Sequence, residues 1–325
     1  MKTDALMTSP QPALRRLFSR RRFRWLTIGA VALGLSAPGL RAQDEGPTLC
    51  MVTFSLQVTY FQQTVVGAER AAEELGVDLI VFDPQADATR QVTLVEDCIA
   101  RQVDGIIVDP IESGSLLGPI EQAEAAGIPM VTLDTPIDHP NIVTLIGVNQ
   151  YETSREFGRY VAGYIAGAMG GEARVGLMIA SSEVQLARRD GFVEALESLP
   201  GVEIVAEGDG RNILERATAE AENMLTANPD IDVIYATGDP QLQGGLAAGL
   251  SQNRDIAFFG WDDIPAPFVP PLLDGRLVGF LMQSPDFNGE QGVRALVDYL
   301  NGDPVPERLS YIPTIVTPYN VEQYR

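Results

Sequence analysis

The sequence predicts an α/β protein of two similar lobes, each a parallel sheet covered by helices on both faces. Three observations carry this. The chain has 325 residues, and at roughly 100–200 residues per domain that is about two domains. Past residue 47, short apolar runs alternate with amphipathic stretches, and strands of about five residues between helices of about 10–15 are the spacing of βα units. The pattern then repeats. Gly67-Ala68-Glu69 through Glu74-Leu75-Gly76-Val77-Asp78-Leu79-Ile80-Val81 echoes Gly191-Phe192-Val193-Glu194 through Leu199-Pro200-Gly201-Val202-Glu203-Ile204-Val205. Val103-Asp104-Gly105-Ile106-Ile107-Val108-Asp109-Pro110 likewise echoes Ile231-Asp232-Val233-Ile234-Tyr235 with Asp239-Pro240. Two like half-chains of about 120 residues suit two lobes better than a short-period solenoid.

Residues 1–42 read as an export signal. Ser19-Arg20-Arg21-Arg22-Phe23 precedes an apolar run over 25–40 that contains Pro38. At ~1.5 Å per residue the run spans about 24 Å, short of a ~30 Å hydrocarbon core. A basic start, a modest apolar stretch and Ala42 before Gln43-Asp44-Glu45 fit a cleavable leader. The order Ser-Arg-Arg-x-Phe resembles the twin-arginine signal, which exports folded proteins. Leu40 is larger than the usual small residue three before a cut, so the cut is expected at Ala42 or a few residues away; an uncleaved signal anchor is the other reading. Export places the mature chain in the periplasm.

The strands are expected over 49–54, 77–82, 105–108, 129–133 and 142–147, then over 174–179, 202–207, 233–236, 256–261, 278–282 and 311–316. Their continuous apolar character needs cover on both faces. Helical patterns fall over 64–75, 89–102, 151–169, 189–198, 217–227 and 287–301.

Composition excludes several functions. The leader holds Lys2 and seven Arg against Asp4, a balance of +7, whereas residues 43–325 hold 15 Arg against 43 acidic side chains, −28. So acidic a body is repelled by phosphate backbones, so no nucleic-acid partner is expected. With no lysine beyond Lys2 there is no Walker loop and no Schiff-base lysine. His139, in Asp138-His139-Pro140, is the one histidine. No nucleophile elbow, zincin, CxxC or EF-hand spacing occurs, so no enzyme, cofactor or metal site is expected. A pair of carboxylates meeting in space, as in a glycosidase, is left open.

Cys50 and Cys98 form an even pair in what export makes an oxidising compartment. A disulfide is expected; two buried free thiols are the alternative. The informative polar residues follow strands: Asp134, Asp239, Asp262 and Gln283. In open α/β sheets ligands collect there. Carboxylates accept hydrogen bonds from the hydroxyls of a polyol, and Tyr60, Phe61 and Trp261 can cover the C–H face of a sugar. Arg188 can offset a desolvated carboxylate and donate to oxygens. Helix capping by each aspartate is the alternative.

These residues resemble the periplasmic substrate-binding proteins of the ribose-binding type, which serve ABC importers of sugars. The resemblance runs over about 48–316. It rests on Tyr60-Phe61 with Gly67-Ala68, Asp83, Gly127-Ile128-Pro129 with Thr132-Leu133-Asp134, Arg188 with Gly191-Phe192, Gly260-Trp261-Asp262 and Gln283. It implies two Rossmann-like lobes, 43–148 plus 284–313 and 149–283 plus 314–325, joined by a hinge of three crossings near Val148, Gln283 and Thr314. It implies ligand contacts at Tyr60, Phe61, Asp134, Arg188, Asp262 and Gln283, and a monomer that passes its ligand to an ABC permease in the inner membrane. Val58, Thr135, Asn212 and Gly238 depart from the ribose pattern of Asn, Arg, an aromatic and Asn, which speaks against ribose itself. Two other roles are a periplasmic sensor signalling to a membrane kinase and an exported hydrolase.

Overall fold

The computed structural model describes residues 46–263 and 266–324, apart from the side chain of Asp262. The expected leader over 1–42 lies outside them. The first half runs β1 (Thr48–Val52), α1 (Thr59–Leu75), β2 (Asp78–Phe82), α2 (Ala88–Ala100), β3 (Gly105–Val108), α3 (Leu117–Ala126), β4 (Met130–Leu133) and β5 (Ile142–Ile146). The second runs α4 (Gln150–Ala168), β6 (Glu172–Ile179), α5 (Glu183–Leu196), β7 (Gly201–Asp209), α6 (Leu214–Ala227), β8 (Val233–Ala236), α7 (Asp239–Ser251), β9 (Ala257–Asp262), α8 (Val269–Leu273) and β10 (Leu277–Met282). Then come α9 (Pro285–Asn301), β11 (Arg308–Leu309) and β12 (Thr314–Val316).

The strands form two six-stranded sheets, in the orders β11-β5-β4-β3-β1-β2 and β12-β10-β9-β8-β6-β7. The two orders are the same path drawn twice, so the sequence echo is an echo of topology. All pairings are parallel except β10 with β12. The strand expected over 311–316 is shorter, because Pro313 has no N–H to give the ladder and pairing begins at Thr314.

Side chains alternate across each strand with period two. Leu49 and Met51 of β1 pack with α1 and α9, whereas Cys50 and Val52 pack with α2 and α3. In the second sheet Leu177 and Tyr235 face α4 and α5, and Met178 and Ile234 face α6 and α7. Cys50 and Cys98 are joined by a disulfide, with Cα atoms 6.0 Å apart, pinning β1 to α2.

Helix α1 lies directly on α9, and α5 on α4. A Cβ on Gly67 would stand 2.0 Å from the Asp286 carbonyl oxygen, and one on Gly289 would stand 1.8 Å from that of Thr64. The second lobe does the same: a Cβ on Gly191 would meet the Tyr151 carbonyl oxygen at 2.2 Å. Gly67 and Gly191 are the residues that open the sequence echo. Gly289→Ala and Gly191→Ala should each cost about 1–3 kcal/mol by overpacking, read as a lower urea midpoint with an unchanged slope.

The chain passes between the sheets three times. It crosses after β5 at 147–149, returns between β10 and α9 at 283–284, and crosses again between β11 and β12 at 310–313. Among the described residues no helix is long and apolar enough to span a membrane.

Candidate functional site

The carboxyl ends of both sheets meet at one cleft. Phe54, Val58, Phe61, Asp109, Val184 and Arg188 are among the residues lining it, and it holds about 520 Å³ of space, its open mouth included.

Helix α1 starts at Thr59, five residues before its apolar periodicity does, so Tyr60 and Phe61 stand in its first turn. Phe61 stacks on Phe54 with ring centroids 5.0 Å apart, and Tyr60 meets Phe61 edge-on at 5.2 Å. At the end of β4, Asp134 takes a left-handed φ of 54°. Gly147 makes room for it: a Cβ there would lie 2.6 Å from Asp134 Oδ1. Asp134 is buried and accepts from the Tyr60 hydroxyl (2.6 Å), Gln150 Nε2 (3.2 Å) and Asn288 Nδ2 (3.3 Å). Burial first, and then the charge of Asp134, hold the Tyr60 phenol well above the ordinary tyrosine range, so it remains a donor.

Ser182 caps α5 by accepting from the Gln185 N–H, which sets Arg188 midway along the helix and 3% exposed. Its Nε donates to Gln150 Oε1 (2.8 Å), Nη1 to the Thr237 carbonyl (2.8 Å) and Nη2 to Gln283 Oε1 (3.2 Å). The guanidinium lies over the Trp261 ring, 4.2 Å from its centroid. Gln150 therefore links the two charges, with its oxygen toward Arg188 and its nitrogen toward Asp134. Asn149 caps α4 through the Glu152 N–H and so fixes Gln150 as the first helical residue.

Tyr60, Phe61, Asp134 and Arg188 meet at the cleft wall. Gln283 lies behind Arg188 and Trp261 beneath it; both are buried, and Trp261 belongs to the core between its sheet and α4–α5. Asp239 sits in the first turn of α7, where its carboxylate accepts from Gln243 and suits the helix dipole. It is not among the lining residues. Asp262 ends β9, and its side chain lies outside the described residues.

Sequence reasoning passed over Phe54, Asp109, Gln150 and Asn288. Asp109 is 3% exposed; its N–H donates to the Val52 carbonyl, its carbonyl accepts from Gln91 Nε2, and its Oδ2 has no hydrogen-bond partner. Burial, and next the charge of Asp134, push its carboxyl well above the ordinary range, with Arg188 opposing. Its signal was present, since Asp109-Pro110 is the counterpart of Asp239-Pro240 in the echo.

Two α/β lobes of one topology, three crossings and a polar site at the facing strand ends define a two-lobed ligand-binding protein. The chain belongs to the periplasmic binding protein domain family, whose profile matches residues 50–304. It is similar to the ribose import binding proteins of Bacillus subtilis (26% identical over 265 residues, 81% of this chain and 85% of that one) and of Escherichia coli K12 (27% over 283 residues, 86% and 92%). Among solved structures it resembles a periplasmic solute-binding protein from Actinobacillus succinogenes 130z with bound D-allose. The TM-score is 0.78 at 25% identity, covering 86% of this chain and 100% of that one.

Proposed function

We propose that the protein captures a sugar or sugar-like molecule between its lobes in the periplasm and passes it, as a monomer, to an ABC permease of the inner membrane. The observation that supports this most is the buried relay from Tyr60 and Asp134 through Gln150 to Arg188, which spans the two lobes at the strand ends. The relatives support it too, being named for ribose import or holding a sugar. Tyr60, Phe61, Asp134, Arg188 and Asp262 are the proposed ligand contacts, Gln283 and Trp261 the support of Arg188, and the crossings at 147–149, 283–284 and 310–313 the hinge. Residues 1–42 are the proposed export leader.

Calorimetry and thermal shift against pentoses, hexoses and polyols test this. A true ligand at 100 times its Kd adds about 2.7 kcal/mol of stability, and a Kd near ~1 μM, about −8 kcal/mol, suits capture and release. A panel with no saturable binder would overturn the proposal. Trp261 gives a second readout, being the one tryptophan beyond residue 42. Its indole is fully buried under Arg188, so ligand should change the emission intensity while the wavelength maximum barely moves.

A further inference from the structure

The cleft wall is rich in carboxylate, with Asp109 and Asp134 both lining it. Asp109 is enclosed, and its Oδ2 has no hydrogen-bond partner. The Asp134 carboxylate is near enough to disfavour its charge. Asp134 itself accepts from a phenol and two amides, those of Tyr60, Gln150 and Asn288. Glu183 adds a third carboxylate at the wall, where it accepts from the backbone and hydroxyl of Ser113 on the other lobe. Against these the wall offers one cation among the described residues, Arg188, which also donates to Gln150, Thr237 and Gln283. Thr135, beside Asp134, is neutral.

A ligand hydroxyl can fill the hydrogen-bonding capacity of Asp109 Oδ2 but does not hold that carboxyl in its charged form. A primary ammonium does both, and a buried carboxylate is held as an anion only when paired. The flanking rings of Phe54, Tyr60 and Phe61 are a favourable wall for a cation as well as for a sugar face. We infer that the ligand carries a protonated amine seated against Asp109, so that the class taken is an amino sugar or amino polyol in preference to a neutral sugar. This rests on the reading of the cleft as a sugar site.

The test is a set of matched probes on the purified protein: D-glucosamine, D-galactosamine and D-mannosamine, each beside its parent hexose and its N-acetyl derivative, with D-ribose, D-arabinose and D-allose added. Calorimetry should show at least one amine binding tenfold or more tighter than both neutral partners. Asp109→Asn should reduce that preference below about threefold, with its unliganded melting temperature at or above that of the wild type. A neutral sugar that binds as tightly as every amine overturns the inference and leaves sugar capture standing. No binding by any probe overturns both. An amine preference that survives in Asp109→Asn overturns the assignment to Asp109. The wild-type comparison decides between amine and neutral sugar even if the variant fails to fold.

Discussion

Replacing Arg188 with alanine is expected to lower ligand affinity at least a hundredfold and to lower the melting temperature on the order of 10 °C. The two effects share one cause. Arg188 is buried and holds Gln150, Thr237 and Gln283 in place, so truncation takes a donor from each of three acceptors and removes a guanidinium that favours the charged form of Asp109. Breaking a buried ionic node of this kind costs about 3–5 kcal/mol, and for a body of this size each kcal/mol is worth about 2–4 °C. Arg188→Lys should recover less than half of either loss, because an ammonium cannot fork to three partners while lying flat on Trp261. Calorimetry and thermal melts on the two variants measure both quantities; wild-type affinity in Arg188→Ala would remove Arg188 from the site.

Removing the disulfide is the second large effect. The bond joins residues 48 apart in sequence, and closing such a loop in the unfolded chain is worth about 4 kcal/mol on the chain-entropy account. The paired Cys50→Ala, Cys98→Ala variant should therefore unfold at a markedly lower urea concentration, and reductant should bring the wild type to the same midpoint. Two free thiols, titrated in denatured and unreduced protein taken from the periplasm, would overturn the bond.

The fold was legible because its signals are local. Apolar runs such as Gly105–Val108 and the repeated Gly-Val-Asp-Leu-Ile grammar report the sheets and their duplication without any knowledge of contacts. Polar residues at strand ends were legible for the same reason, which brought Asp134 to notice, whereas Arg188, midway along α5, was carried by its place before Gly191-Phe192. Gln150 and Asn288 were not, because an amide has no motif and their shared partner Asp134 is 16 and 154 residues away. Phe54 was hidden by its place directly after β1, where it reads as more strand. Asp109 and Asp239 show where the echo ends. Both precede a proline, but Asp239 opens α7 with Pro240 in its first turn, whereas Pro110 leads into a loop that leaves Asp109 at the cleft.

The glycine contacts between α1 and α9, and between α4 and α5, bear on the mechanics of the molecule. At these points backbone meets backbone, so there a shear of one helix along the other runs into carbonyl groups and not into side chains that can repack. In the proposed hinge, compliance belongs to the backbone torsions at 147–149, 283–284 and 310–313. Two of those segments lie beside the glutamines that Arg188 holds, Gln150 and Gln283. Torque applied at the cleft would therefore reach the proposed hinge through a few hydrogen bonds.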